Sequence, residues 1–154
     1  MACVQEGDLN VLIAEGNVRL GGVLAQMLDA EGHISTVVFN WQDAVLAQRA
    51  KSYDAYIIDL EFPDCGGIAM LGSLRREASS GPSARAIGWT TFGHFWRGLP
   101  ITSMFDAVVE KPASMKTILA SLQGTARSSS NDSIDSASST KACEWWPQSG
   151  WRID

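Results

Sequence analysis

Four side chains that could do chemistry follow separate apolar stretches of the chain. Glu15, Asp59, Thr90 and Lys111 each stand at or just after a short run of strand-forming residues. If these runs are parallel strands, their carboxyl ends share one edge of a sheet, and the four side chains lie close together there. Two carboxylates, a hydroxyl and an ammonium group around one hollow suit the transfer of a phosphoryl group to a carboxylate.

Asp59 is the predicted nucleophile of such a transfer. A cation held between the acids would offset the charge of the incoming group, and Lys111 would pair with one of its oxygens as a mobile charge. The hydroxyl of Thr90 would donate a hydrogen bond to another oxygen. Simpler interpretations stay open: Asp59 could cap a loop, Thr90 could be an ordinary strand-end hydroxyl, and Lys111 could pair with acids only for stability.

Apolar periodicity predicts five strands alternating with five helices. The predicted strands are residues 10–14, 35–39, 56–59, 84–89 and 105–110, and the clear helices are 18–31, 41–51, 67–78 and 113–123. Gly32 is expected to end the first helix, and Asn40 and Ser114 are candidate N-caps of the second and the last. Residues 92–104 should hold at most one or two helical turns, because Gly93, Gly98 and Pro100 interrupt them. The alternation predicts an α/β fold: a doubly wound, flavodoxin-like (βα)5 domain with a five-stranded parallel sheet in the order 2-1-3-4-5.

The last thirty residues do not continue this pattern. Residues 1–124 are expected to form one domain, and residues 125–154 a Ser-rich linker and a Trp-rich tail. Three of the six tryptophans lie in this tail: Trp145, Trp146 and Trp151. The linker has little to bury, so we expect residues 125–154 to be disordered or to act as a docking segment.

Composition excludes several classes of function. A chain of 154 residues with 45% hydrophobic and 19% charged residues is typical of a globular domain. A net charge of −5 without a basic cluster argues against nucleic-acid binding. No apolar run reaches the roughly 20 residues of a membrane span. The N-terminus lacks the features of a signal peptide, and the three cysteines lack metal-ligand spacing, so a reduced, cytoplasmic setting is expected.

The motifs at the strand ends resemble the receiver domain of response regulators, the CheY-like fold of bacterial two-component signalling. Four motifs in the right order carry this resemblance, over about residues 9–123: residues 11–17, 57–67, 86–90 and 108–112. The resemblance implies that Asp59 is the phosphoacceptor, Thr90 the switch hydroxyl and Lys111 the family's lysine. It implies magnesium as cofactor, with Glu15, Asp59 and Glu61 as its ligands, and a histidine kinase or phosphotransfer protein as phosphoryl donor.

Two positions depart from the family pattern. The family usually has two adjacent acids after the first strand, whereas Glu15 is followed here by Gly16. Losing a hard oxygen ligand predicts weak or absent magnesium binding. Val108 stands where the family usually carries an aromatic switch residue, so the usual coupling of threonine to an aromatic side chain is in doubt.

The sequence thus predicts a stand-alone receiver in a phosphorelay, which is not an enzyme. Its output would be contact with a downstream protein, or storage of phosphate in a relay, since no DNA-binding or catalytic segment is recognisable after residue 124. Formation of a homodimer is left open. The alternative is a degenerate receiver that binds its partner independently of phosphorylation. A flavin-binding or hydrolytic domain is a third interpretation, but the chain lacks a Gly-rich phosphate loop and a nucleophile elbow.

Overall fold

A computed structural model describes residues 7–78 and 83–124 of the chain. The predicted linker and Trp-rich tail, residues 125–154, lie outside the described residues. The five strands are β1 (Asn10–Ala14), β2 (Ile34–Val38), β3 (Ala55–Asp59), β4 (Arg85–Thr90) and β5 (Ala107–Glu110). The helices are α1 (Val18–Ala30), α2 (Trp41–Ala50), α3 (Gly66–Glu77), α4 (Gly93–Trp96) and α5 (Met115–Gln123), with a 3-10 helix at Pro100–Met104.

The five strands form one parallel sheet in the order β2-β1-β3-β4-β5, which confirms the predicted topology. The register pairs Ala14 with Ile58, and Asp59 with Trp89. Strands β1, β3 and β4 therefore end level with one another, and the residues that follow them meet at a single edge.

Alternation along the strands divides the core between the two faces of the sheet. On β1, Leu12 packs with side chains of α2 and α3, whereas Ile13 packs with side chains of α1 and α5. All five residues of β3 are buried, because this strand lies at the centre of the sheet with helices on both sides. The central strand is therefore held rigidly, and Asp59 at its end is held with it.

Side-chain caps fix where three helices begin. The side chains of Asn40 and Ser114, both predicted as caps, accept hydrogen bonds from backbone N–H groups of the first turns of α2 and α5, at 2.8 and 3.1 Å. Asn17 does the same for α1 at 3.1 Å. Gly32, with φ +90°, follows the end of α1, as the sequence predicted.

The segment after β4 is the least regular part of the fold. Helix α4 has only four residues, as the glycines and Pro100 predicted. Trp96 is buried, whereas Phe92 and Phe95 are exposed. Val108 is 39% exposed and lies on β5, an edge strand of the sheet. Within the described ranges, no helix is both long and apolar enough to cross a membrane.

Candidate functional site

A cleft of about 480 Å³ opens at the carboxyl edge of the sheet. The loops after β1, β3, β4 and β5 all contribute to its lining, which includes three acidic side chains and one lysine. The lining residues are Glu15, Gly16, Asn17, Leu20, Asp59, Glu61, Pro63, Thr91 and Lys111. An edge where several strand ends meet is the usual position for ligands in open α/β sheets.

Lys111 joins two of the acids in this cleft. Its Nζ lies 2.7 Å from Glu15 Oε2 and 3.4 Å from Asp59 Oδ1. The side chain is only 12% exposed, and Nζ lies 5.6 Å from the centre of the Trp89 ring. The backbone N–H of Lys111 donates to the carbonyl of Thr90 at 2.7 Å, so the ammonium group extends from a fixed strand end.

Both carboxylate oxygens of Glu15 are engaged. Oε2 accepts from Lys111, and Oε1 accepts from the backbone N–H of Asn17 at 2.9 Å. Glu15 is almost fully buried, and burial of a charged carboxylate is tolerable only when it is paired and hydrogen-bonded, as it is here. The sequence did not identify Asn17, whose backbone holds Glu15 and whose side chain begins α1.

Asp59 is 7% exposed and lies at the floor of the cleft. Its Oδ1 accepts from the backbone N–H of Glu61 at 3.0 Å. Burial, reinforced by the negative charge of Glu15, raises the pKa of Asp59 to about 7, although Lys111 acts in the opposite direction. Near neutral pH the side chain therefore exchanges between its protonated and nucleophilic forms.

Glu61 connects the cleft to the residues behind it. Its Oε1 accepts a hydrogen bond from Thr90 Oγ1 and a second bond from Trp96 Nε1 at 2.9 Å. Burial acts to raise the pKa of Glu61, but the hydrogen bonds from Thr90 and Trp96 more than compensate, and the pKa lies below its ordinary value. Glu61 is thus held as a carboxylate beside Asp59.

The structure brings together most of the predicted site. Glu15, Asp59, Glu61 and Lys111 line one cleft, but Thr90 does not line it. Thr90 is fully buried, and its side chain hydrogen-bonds to Glu61, which lines the cleft, while Thr91 contributes to the lining directly. Sequence reasoning gave Trp96 no part in the site, because nothing in the local pattern links it to a residue 35 positions earlier.

Gly16 lies against the loop that follows β3. A Cβ atom at this position would stand 2.7 Å from Cδ and 2.8 Å from Cγ of Pro63. The φ angle of Gly16 is not in the left-handed region, so the closeness of Pro63, rather than backbone strain, excludes a side chain. Gly16 therefore does more than omit a carboxylate, since it lets the loops after β1 and β3 pack together.

Oxygen donors for a hard cation are present but are not preassembled. Among the described residues, no group of three His, Cys, Asp or Glu side chains has the arrangement of a metal site. Glu61 Oε2, however, is buried and has no hydrogen-bond partner within the described ranges. Carboxylate oxygens of Asp59 and Glu61 are the donors left for a cation, because Lys111 and Asn17 already occupy those of Glu15.

Comparison with known proteins finds similarity to a transcriptional regulator over about half of the chain. The transcriptional regulatory protein TcrA of Mycobacterium tuberculosis is 30% identical over 76 residues, which are 49% of this chain and 30% of TcrA. The match thus spans less than a third of the length of that relative. No protein-family model matches the chain.

Solved structures similar to this chain include several receiver domains. A CheY-like response-regulator receiver domain from Methylobacillus flagellatus is 26% identical, with a TM-score of 0.68 over 76% of this chain and 98% of that one. The receiver domain of the sensor histidine kinase PA1611 from Pseudomonas aeruginosa, which holds a magnesium ion in its active-site cleft, is 22% identical. Its TM-score is 0.66, over 76% of this chain and 96% of that one. These matches confirm the predicted resemblance and fold class.

Proposed function

We propose that this chain, the described part of which is a receiver domain of the CheY-like response-regulator family, accepts a phosphoryl group on Asp59. The observation that carries the proposal is the position of Lys111, whose ammonium group contacts Asp59 at 3.4 Å and Glu15 at 2.7 Å in an open cleft. An ammonium at that distance can pair with an oxygen of a phosphoryl group attached to Asp59.

The proposed donor is a phosphohistidine of a histidine kinase or a phosphotransfer protein. An oxygen of ionised Asp59 attacks phosphorus, the bond from phosphorus to the histidine nitrogen breaks, and the electron pair leaves with the imidazole. The pKa of about 7 means that a substantial fraction of Asp59 is ionised at neutral pH. Lys111 and the backbone of the Asp59 loop hold the carboxylate at the cleft while this occurs.

Magnesium is the proposed cofactor, and the carboxylates of Asp59 and Glu61 would hold it. The orphaned Glu61 Oε2 supports this assignment, as does the magnesium ion in the cleft of the PA1611 receiver domain. When bound, the ion would neutralise charge on the phosphoryl oxygens. Because Glu15 is already paired and Gly16 offers no ligand, we expect the ion to bind weakly.

We further propose that the domain acts by protein contact in the cytoplasm and not as a turnover catalyst. Asp59 receives one phosphoryl group, and the resulting change would be detected by a downstream protein or by a second copy of the chain. A nucleic-acid partner is not expected, because the chain has a net charge of −5 and no basic cluster.

Intact-mass spectrometry tests the proposal directly. With acetyl phosphate and magnesium, the protein should gain one phosphoryl mass, and Asp59→Asn should abolish the gain. Asp64→Asn is the matched control, because Asp64 is an exposed acid in the same loop and should leave the adduct unchanged. An adduct that persists in Asp59→Asn, or no adduct with acetyl phosphate or with a histidine kinase, contradicts the proposal.

A phosphorylation-independent binding module is the second candidate function. The close packing of Gly16 on Pro63 favours it, since this contact leaves no space for the acid that the family usually carries. The two functions differ in one measurement, the affinity of the chain for a downstream partner. An affinity that Asp59→Asn and phosphorylation both leave unchanged would favour the binding module.

A further inference from the structure

A single carboxylate oxygen, Glu61 Oε1, connects the side chain of Trp96 in helix α4 to the cleft. Glu61 Oε1 accepts hydrogen bonds from both Thr90 Oγ1 and Trp96 Nε1, and both donor residues are buried. The oxygen of Thr90 also accepts from the backbone N–H of Phe92 at 2.9 Å. Thr90 is therefore connected to the α4 segment at both ends, directly at Phe92 and through Glu61 at Trp96.

A threonine hydroxyl has only one proton to donate. In the structure that proton goes to Glu61. If Thr90 instead donates to a phosphoryl oxygen on Asp59, Glu61 loses this bond, and its carboxylate is held less firmly. Trp96 Nε1 would then lose a fixed acceptor, and a buried indole N–H without a partner is unfavourable.

We propose that Glu61 and Trp96 are positioning residues that link the state of Asp59 to the conformation of α4. This inference rests on the proposed function. It assigns to Trp96 the role that the family usually gives to an aromatic residue at the position of Val108. Val108 has no polar group and is 39% exposed, whereas Trp96 is buried and hydrogen-bonded to the residue that holds Thr90.

Movement of Trp96 would change a surface that a partner could detect. Phe95 packs edge-on against Trp96 with ring centres 5.3 Å apart, and Phe95 is 62% exposed. Exposed apolar side chains lie close to it in the chain, at Phe92 and Leu99. Because α4 has only one turn, few backbone hydrogen bonds resist its rearrangement.

The experiment is ¹⁵N-correlated NMR of the indole N–H groups in the full chain, combined with intact mass. The Trp96 resonance is assigned by its loss in Trp96→Phe, and the tryptophans other than Trp89, which lies against Lys111, serve as internal references. In the absence of a phosphoryl donor, Glu61→Leu should shift the Trp96 indole N–H resonance upfield, because the acceptor of its hydrogen bond is removed. Glu61→Gln retains a carbonyl oxygen and should leave the resonance near its wild-type position. A shift in neither variant would overturn the inference, because Trp96 would not be bonded to Glu61.

Phosphorylation by acetyl phosphate and magnesium should move the same resonance. Val108→Ala is the matched control and should retain this response, whereas Thr90→Val should abolish it even where the phosphoryl adduct forms. A wild-type adduct with an unmoved Trp96 resonance overturns the inference and leaves the proposed function standing. Absence of any adduct overturns both, and the mass spectrum distinguishes the two failures.

Discussion

The ammonium nitrogen of Lys111 is shared by two buried carboxylates, at 2.7 Å from Glu15 and 3.4 Å from Asp59. The shorter contact is to the acid whose other oxygen is already fixed by Asn17. The longer contact leaves Asp59 the freer of the two acids. One cation thus orders the cleft while leaving the nucleophile available for an incoming group.

Removing the ammonium group of Lys111 should destabilise the protein. Lys111→Met keeps the length of the side chain but leaves two buried carboxylates without their partner, and we expect a loss of about 3 kcal/mol in the free energy of unfolding. Urea denaturation at neutral pH measures it. Lys116→Met, on the exposed side of α5, is the matched control and should change stability by less than about 0.5 kcal/mol. Equal effects of the two substitutions would contradict the shared-cation geometry.

The raised pKa of Asp59 makes stability depend on pH in a defined direction. The folded protein holds a proton on Asp59 up to about pH 7, whereas the ordinary pKa of this group is 3.8. Between these values the folded state binds more protons than the unfolded state, so this contribution to stability is complete below about pH 4 and is lost as the pH rises through 7.

Asp59→Asn removes this titration. Without divalent cations, the variant should therefore be more stable than the wild type at pH 8, by about 1–2 kcal/mol, with a much smaller difference at pH 5. Chemical denaturation at the two pH values measures the difference. Asp64→Asn should follow the wild-type profile, and a stability difference for Asp59→Asn that does not grow with pH would refute the assignment.

The contact between Gly16 and Pro63 predicts how the protein responds when an acid is introduced at position 16. Gly16→Asp places a Cβ 2.7 Å from the Pro63 ring, so the single variant should lose about 1–3 kcal/mol of stability. Pro63→Ala removes the ring atoms concerned, and the double variant should recover most of this loss. Gly16→Ala gives the steric effect without the carboxylate.

In the Pro63→Ala background the new acid should also strengthen magnesium binding, measured by calorimetric titration against Gly16→Ala/Pro63→Ala. If the stability changes of Gly16→Asp and Pro63→Ala simply add in the double variant, the contact between the two residues is not what excludes an acid at position 16.

Gly67 should be the least replaceable glycine of the site. Its N–H donates to the carbonyl of Leu60, and a Cβ there would collide with the backbone carbonyl of Asp59 and lie 2.8 Å from Leu60 Cα. Backbone atoms cannot rotate away, so we expect Gly67→Ala to cost at least about 2 kcal/mol and to slow phosphorylation by displacing Asp59.

Gly22→Ala is the matched control for this substitution. It lies in α1, where a Cβ meets none of the described atoms within 4 Å, and the change should stabilise the helix by about 1 kcal/mol. Thermal unfolding compares the two variants, and similar melting temperatures would contradict the close packing at Gly67.

The sequence by itself determined the element order, the sheet topology and the convergence of Glu15, Asp59 and Lys111. These features follow from local patterns: apolar runs give strands, and parallel strands bring their carboxyl ends to one edge whatever the loops contain. The predicted caps at Asn40 and Ser114 are local in the same sense, since each acts on an N–H three residues away.

Only the tertiary structure decided which groups touch. Nothing near Gly16 in the sequence shows that Pro63 fills the space beside it, and nothing near Trp96 shows that its indole N–H reaches Glu61. Such contacts join residues that are distant in sequence. They depend on the paths of the loops and on the side-chain rotamers, and short-range periodicity carries no information about either.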